Sequence, residues 1–336
     1  MKISAVNNFK YPNYAFSISS QRKQSPSFSS LKLKNDENNY SDTCFYRDID
    51  TLDCAATLLK KTFPKGTDIL DFASSNGEEA ISLYSLLVNT SNNKYKIHCF
   101  DTSDRAVELG KKGIYTVFYP MSYDYLLLPE FSMLDDPNTR EIKSKFYSVM
   151  EETKKPSYEI NDINYLCQLE RSPYFKIKYY KLKDEHKDKI EINKGNINNI
   201  DKVLPNKKVG AVLFRNAMYI ETGNSYANGF SFNEDLNVNK KEIIEKIVDK
   251  VYEKLLPGGL FILGDIEKDH IYIADNHVND KDKIFVSDYC TFIYKNSPLW
   301  EALSKDDRFE PVLYKNVDAS VILGKEQKVP TIWRKK

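Results

Sequence analysis

Four groups of small or polar residues follow apolar segments of this sequence, each at a point where a strand would end. The first is the run Ser74–Glu79, and the second is Asp101. The third is Gly195-Asn196-Ile197, and the fourth is the pair Arg215-Asn216. In a doubly wound sheet, ligands bind beyond the carboxyl ends of the strands, so these residues are candidates for one site. Each group taken alone is equally consistent with an ordinary strand boundary.

The chemistry of Asp101 and of the Ser74–Glu79 loop favours a nucleoside ligand without phosphates. A carboxylate that ends the second strand can accept hydrogen bonds from two ribose hydroxyls. The loop has a single glycine, Gly77, where a dinucleotide fingerprint needs three, and it lacks the Gly-Lys-Ser/Thr of a P-loop. No pyrophosphate cradle is indicated, and S-adenosylmethionine (SAM) is a nucleoside that fits. The alternative is a βα turn that binds nothing.

Alternating apolar runs and helical periodicity predict the elements that would position these residues. A short apolar run that ends at Phe72 has the pattern of a buried parallel strand, and helical spacing begins at Glu78. The repeated order of strand and helix predicts an α/β fold with a Rossmann-like, doubly wound, mainly parallel sheet. The other predicted elements are strands at Tyr95–Phe100, Val209–Phe214 and Leu260–Leu263, and helices at Asp53–Phe63, Ser103–Lys112, Glu141–Glu152, Lys240–Leu256 and Leu299–Leu303.

Two pairs of segments are predicted to be neighbouring strands. Phe175–Leu182 and Lys189–Ile192 flank a run of charged residues, which we interpret as a solvated turn between paired strands. Near the end of the sequence, Pro311–Tyr314 and Ala319–Leu323 are predicted to form an antiparallel pair. The predicted fold is therefore a doubly wound sheet with a late antiparallel strand pair.

Composition limits the classes of partner. The 336 residues include 49 basic and 48 acidic side chains, and this balance gives no electrostatic case for nucleic acid as the main partner. The sequence has no apolar run long enough for a membrane span and no secretory signal. The five cysteines are scattered without CxxC spacing, so neither structural zinc nor a disulfide framework is expected. These features favour a cytoplasmic protein.

Two regions outside the predicted sheet bear on domains and metals. Residues 1–40 lack a steady apolar period and are predicted to be a disordered tail, ahead of one domain over residues 41–336. His270 and His277 lie near acidic residues and could bind a metal, but the solvated interpretation is favoured because their spacing matches no known site. No metal is therefore predicted.

Five short motifs, in order, resemble the CheR-type chemotaxis-receptor glutamate methyltransferases, a family of class I SAM-dependent methyltransferases. The resemblance spans roughly residues 41–267. The sequence departs from the family in lacking the helical domain that usually precedes the catalytic one, and the family's motif tyrosine falls at Ile220. The matching segments are Ser41–Arg47, Ser75–Glu79, Asp101 followed by Gly113-Ile114-Tyr115, Phe214–Ile220 and Leu256–Gly259.

The resemblance implies SAM as the methyl donor, S-adenosylhomocysteine (SAH) as its product and a protein glutamate as the acceptor. It implies that Arg47, Arg215 and Tyr219 are catalytic, and that Glu79 contacts the methionyl amino group while Asp101 holds the ribose. The implied cofactor-binding residues are Thr43, Arg47, Gly77, Glu79, Asp101, Asn196, Ile197, Arg215 and Asn216.

Two alternatives to a chemoreceptor-like acceptor stay open. One is a methyltransferase of a small molecule or of another protein residue, which the missing helical domain and the displaced tyrosine favour. The other is a SAM-binding module without catalysis, against which the presence of Arg47, Glu79 and Asp101 counts. The sequence identifies neither the acceptor nor the oligomeric state.

Overall fold

The computed structural model describes residues 45–46, 49–88, 94–120, 140–157, 175–215, 240–263, 271–272, 283–285, 291–294, 298–312 and 331–336. The predicted tail at residues 1–40 and the predicted strand Ala319–Leu323 lie outside these ranges, as do His270 and His277.

Strands and helices alternate through most of the described sequence. The helices are α1 (Ile49–Thr62), α2 (Glu78–Leu87), α3 (Asp104–Lys112), α4 (Arg140–Val149), α5 (Lys240–Lys254) and α6 (Pro298–Lys305). The strands up to the middle of the chain are β1 (Asp68–Phe72), β2 (Lys96–Asp101), β3 (Ile114–Pro120), β4 (Met150–Thr153), β5 (Phe175–Leu182), β6 (Ile190–Lys194) and β7 (Val209–Phe214). The later strands are β8 (Leu255–Leu263), β9 (Ile271–Tyr272), β10 (Lys283–Phe285), β11 (Thr291–Tyr294), β12 (Phe309–Pro311) and β13 (Ile332–Lys335).

The central sheet has seven strands in the order β12-β13-β8-β7-β1-β2-β6. The five strands from β8 to β6 pair in parallel, whereas β13 runs antiparallel to both of its neighbours. The sheet therefore grows outwards from β1 on both sides, as in a doubly wound fold. The earlier strands β2 and β6 lie on one side of β1, and the later strands β7 and β8 lie on the other. The predicted α/β class is confirmed, and so is an antiparallel element near the end of the chain.

Both faces of the sheet are covered, because successive residues of each strand point to opposite sides. Ile69 of β1 belongs to one apolar cluster, which includes buried residues of α1 and α2. The next residue, Leu70, belongs to a second cluster, which includes buried residues of α5. The near-continuous burial of β1 and β7 follows from this two-sided packing.

Within the described residues, β12 pairs with β13, near the end of the chain. The predicted partner of this segment, Ala319–Leu323, lies outside the described residues, so that pairing stays a prediction. Two buried features hold β13 in place. Trp333 is 2% exposed, and the Lys335 ammonium donates to the backbone carbonyls of Tyr252 and Leu255. The sequence analysis missed β13 because a four-residue strand between a proline and a basic terminus has too little pattern to identify.

The predicted pairing of Phe175–Leu182 with Lys189–Ile192 is wrong. Strand β5 lies in a separate sheet of order β3-β5-β4, where both of its neighbours are antiparallel. Strand β6 instead joins the central sheet parallel to β2. The charged run between β5 and β6 forms a short 3-10 helix, Asp184–Lys189, so the chain does not return on itself as a hairpin would. A third sheet contains β9, β10 and β11.

In the described ranges, no helix combines the length and apolar character that a membrane span requires.

Candidate functional site

The loop after β1 is tightly wound where it leads into α2. Three of its residues have positive φ: Ala73 at 58°, Ser75 at 51° and Gly77 at 94°. A Cβ atom added at Gly77 would lie 2.8 Å from Cδ1 of Ile192, closer than real Cβ contacts come. Non-glycine residues rarely adopt such angles, and they are enriched at functional sites. The single glycine of the loop therefore meets both a conformational and a steric requirement.

The carboxylate of Asp101 ties this loop to the end of β2. The backbone N–H of Ser75 donates to Oδ2 at 2.7 Å, and the backbone N–H of Ser103 donates to Oδ1 at 2.8 Å. The backbone carbonyl of Asp101 accepts a third bond, at 3.0 Å, from the N–H of Gly195. Asp101 thus connects the loops that follow β1, β2 and β6. The contact of Asp101 with a ribose stays a prediction. It is chemically reasonable because a carboxylate oxygen can accept more than one hydrogen bond.

A buried ion pair joins the end of β7 to the first turn of α2. Nη1 of Arg215 donates to Oε2 of Glu79 at 2.6 Å, and the two side chains are only 1% and 12% exposed. The sequence analysis predicted both residues for the site, and the structure brings them into contact. A guanidinium and a carboxylate held side by side present one donor and one acceptor of opposite charge to a ligand.

Asp71 is a buried acid that the sequence analysis missed. It lies within β1 and is fully buried, and neither of its carboxylate oxygens has a hydrogen-bond partner among the residues that the structure describes. Burial raises the pKa of Asp71 well above its usual range, and the negative charges of Glu79 and Asp101 raise it further against the opposing effect of Arg215. The sequence did contain a signal for this residue, an aspartate inside the apolar run of β1, because an acidic side chain is rarely buried without a partner.

Tyr46, which belongs to the segment that matches the first family motif, is anchored on α2. The backbone N–H of Tyr46 donates to Oγ of Ser82 at 2.9 Å, and the Tyr46 hydroxyl is 2.8 Å from Oγ of Ser85. Tyr46 is 1% exposed, and burial raises the pKa of its phenol. These contacts with Tyr46 explain why α2 carries two serine hydroxyls on its buried side.

Tyr115 connects the third family motif to the loop. Its hydroxyl donates to the backbone carbonyl of Asn76 at 3.2 Å. On its other side, the Tyr115 ring meets the ring of Phe45 edge to face, with centroids 5.7 Å apart. Phe45 in turn contacts Phe146 of α4 at 5.2 Å. Residues that are distant in sequence and matched the family separately are therefore in contact around one loop.

The residues after β6 are placed beside the site with their side chains already engaged. Ile197 is 1% exposed and belongs to the apolar cluster on the α5 face. Oδ1 of Asn196 accepts a hydrogen bond from the N–H of Asn198 at 2.8 Å and so caps the following 3-10 helix. Their predicted contact with an adenine ring stays a prediction.

Four of the predicted site residues lie outside the described residues, namely Thr43, Arg47, Asn216 and Tyr219. Their predicted roles stay predictions. Among the residues that the structure does describe, no group of three or more His, Cys, Asp or Glu side chains is placed to hold a metal ion.

Comparisons with known proteins give structural matches of low similarity. No family model matches the sequence, and no curated protein matches it significantly. Solved structures similar to this chain include an rRNA methylase from Streptococcus thermophilus, with 12% identity, a TM-score of 0.34, and coverage of 84% of this chain and 94% of that one. An O-methyltransferase from Bacillus cereus in complex with SAH has 9% identity, a TM-score of 0.38, and coverage of 89% and 84%. Scores this low leave the question of activity to the site itself.

Proposed function

We propose that this protein is a SAM-dependent methyltransferase. The observation that carries the proposal is the arrangement at the carboxyl ends of β1, β2 and β7. There the Asp101 carboxylate holds a one-glycine loop, and the Arg215–Glu79 pair lies at the start of α2. Ligands of doubly wound sheets bind at this edge, and the loop lacks the glycines that a pyrophosphate needs.

Each part of SAM has a chemical counterpart among these residues. The methionyl end is a zwitterion, so its ammonium group suits the carboxylate of Glu79 and its carboxylate suits the guanidinium of Arg215. The carboxylate of Asp101 suits the ribose hydroxyls, because a carboxylate accepts hydrogen bonds from both hydroxyls of a ribose. Gly77 lets the loop turn sharply into α2 against the side chain of Ile192, which places Glu79 at the start of that helix. The chemistry that SAM supplies is an electrophilic methyl group on a sulfonium.

We further propose a protein carboxylate as the acceptor, as the resemblance to CheR-type enzymes implies. Contacts between the matching motifs support this: Phe45 meets Tyr115, Tyr115 bonds the loop at Asn76, and Arg215 bonds Glu79. A glutamate side chain has an unperturbed pKa of about 4.3, so it is a nucleophile at neutral pH without a general base.

The reaction would then depend mainly on alignment. A carboxylate oxygen forms a bond to the methyl carbon as the carbon–sulfur bond breaks, and the sulfonium becomes the neutral thioether of SAH. Holding oxygen, carbon and sulfur in line with water excluded is the task of the protein. Arg47 is the residue that we propose to orient the acceptor through its planar guanidinium.

Two measurements test the donor and the acceptor separately. Titration calorimetry should detect binding of SAM and SAH, and Asp101→Ala should weaken it by about 1.5–3 kcal/mol because a charged hydrogen-bonding group is lost. Asp104→Ala is the matched control, since Asp104 is exposed and pairs only with Lys194 in a surface ion pair. Absence of binding at millimolar ligand would refute the proposal.

The acceptor is tested by incubating the protein with tritiated SAM and whole-cell lysate. A protein carboxyl acceptor predicts label that enters protein and is released by mild base, as methyl esters are. Base-stable protein label would indicate another residue, and label confined to small molecules would indicate a small-molecule acceptor. Binding without any transfer would indicate a SAM-binding module.

A further inference from the structure

The carboxyl group of Asp71 lies in a cluster of charged groups in which it has no hydrogen-bond partner among the described residues. Four groups face it: Glu79 from α2, Cys99 and Asp101 from β2, and Arg215 after β7. Three of the five groups in the cluster are carboxyls, and one is a cation. Because Asp71 is fully buried and its oxygens have no hydrogen-bond partner among the described residues, an ionised carboxylate there would carry a large desolvation cost.

The other members of the cluster are already engaged. Nη1 of Arg215 bonds to Glu79, and the oxygens of Asp101 accept backbone N–H groups from Ser75 and Ser103. Among the described residues whose charges act on Asp71, Arg215 is the one cation. Its single positive charge is set against three carboxyl groups, those of Asp71, Glu79 and Asp101. Without a further cation beside it, the stable form of Asp71 is therefore the neutral acid.

We propose that the cluster is completed by a positively charged ligand group, and that Asp71 releases its proton to solvent when that group binds beside Glu79. The inference rests on the proposed function, in which the cation is the ammonium group of SAM or SAH. Asp71 would then set the charge preference of the site without touching the reacting methyl group. The raised pKa of Asp71, caused first by burial and then by Glu79 and Asp101, supports the neutral starting state.

This proton release has a thermodynamic consequence. Because binding and ionisation of Asp71 favour each other, affinity for the cationic ligand must rise with pH as the empty protein approaches the pKa of Asp71. The same linkage requires that protons leave the protein on binding. A site whose carboxyls were all ionised beforehand would show neither effect.

Calorimetry of SAH binding in two buffers of different ionisation enthalpy measures the protons released. The titrations are made at several pH values between about 4.5 and 6.5, where an α-amino group, with a pKa of about 7.7–8.0, is already protonated and contributes little. The observed enthalpy for the wild-type protein should depend on the buffer with the sign of proton release. Asp71→Asn, which mimics the neutral acid, should bind SAH with no such dependence. Glu108→Gln is the control, since that exposed glutamate on α3 pairs only with Lys112 and should leave the wild-type slope unchanged.

The outcomes separate this inference from the proposed function. Binding of SAH to the wild-type protein with no buffer dependence overturns the role of Asp71 and leaves the methyltransferase proposal standing. Absence of SAH binding overturns both. Proton release that persists in Asp71→Asn also overturns the inference, because another group would then be its source. If the asparagine variant does not fold, Asp71→Ser takes its place, and a zero slope in the wild-type protein is decisive without any variant.

Discussion

The two ends of the central sheet hold their charged side chains in opposite ways. At the amino end, His98 lies between two carboxylates, with Nε2 2.8 Å from Asp68 and Nδ1 3.0 Å from Glu191. Lys207 pairs with the other oxygen of Asp68, and Lys96 pairs with the other oxygen of Glu191. Every carboxylate oxygen in this group has a partner, so the network is complete without a ligand.

The carboxyl end lacks this completeness. Asp71 is three residues from Asp68 on the same strand, yet within the described part of the chain its buried oxygens have no hydrogen-bond partner, and Arg215, whose charge acts on it, is bonded to Glu79. Proteins provide hydrogen-bond partners for nearly all of their buried polar groups, and the exceptions are often found at functional sites. The contrast within one strand therefore points to the carboxyl end as the ligand site and to the amino end as a structural network.

The largest expected effect is that of Arg215→Met on stability. Removing the guanidinium takes away the cation that lies 2.6 Å from Oε2 of Glu79, a carboxylate that is only 12% exposed and whose charge also acts on Asp71. Breaking a buried pair in this way costs about 3–5 kcal/mol. Urea unfolding at neutral pH measures the loss.

Two further variants test whether the loss comes from the unpaired charge. Lys96→Met breaks a pair at the amino end whose side chains are 35% and 45% exposed, and it should cost no more than about 1 kcal/mol. Adding Glu79→Gln to Arg215→Met should recover a large part of the stability, because the uncompensated carboxylate is gone. Equal losses at the two ends, or no recovery in the double variant, would remove the distinction drawn between them.

Local features of the fold were predictable from the sequence. Ser103 and Gly113 begin and end α3 as predicted: the Ser103 hydroxyl accepts from the N–H of Ala106, and Gly113 has φ of 66°. Both features depend on residues a few positions apart, so short-range chemistry is enough to specify them.

Features that depend on distant residues were not predictable in this way. The partners of β5 and β6 are set by which apolar face each strand buries, and an alternating pattern does not name the other strand. Glu79, Asp101 and Arg215 were predicted as site residues because they follow strands at the edge of a parallel sheet, a known location for ligands, and the structure brings Glu79 and Arg215 into contact. Asp71 was not found, because its importance lies in the charges that folding brings around it.

A smaller effect is expected from Gly77→Ala than from breaking the ion pair. Left-handed backbone costs an L-residue roughly 1–2 kcal/mol, and crowding of the new methyl against Ile192, at 2.8 Å, adds about 1–3 kcal/mol. Gly113→Ala is a matched control, because Gly113 also has positive φ but its added Cβ would meet only a carbonyl oxygen at 4.0 Å. Unfolding free energies should therefore separate the two variants by the crowding cost, and SAH affinity should fall only for Gly77→Ala. Equal losses would show that the loop has room for a side chain.

The smallest and most specific effect is the pH dependence of stability in two Asp→Asn variants of β1. Burial raises the pKa of Asp68, but hydrogen bonds from Lys207 and His98 and their charges outweigh it, so the net shift is downward. The unfolded chain then binds more protons than the native protein below about pH 4, and Asp68 adds stability as pH rises through that range. Asp71 has a raised pKa, so the native protein binds more protons, and Asp71 removes stability as pH rises from about 4 towards its native pKa.

The two variants should therefore diverge with pH. Relative to wild type, Asp71→Asn should become more stable as pH increases, because the variant cannot lose a proton, whereas Asp68→Asn should become less stable because it forfeits an ionised partner of His98 and Lys207. Urea unfolding between about pH 3 and 8 measures both differences, and the linkage relation fixes their signs. Parallel curves for the two variants would mean that Asp71 and Asp68 are in equivalent environments. In that case the carboxyl end would be as complete as the amino end, and the case for a cationic ligand beside Glu79 would be lost.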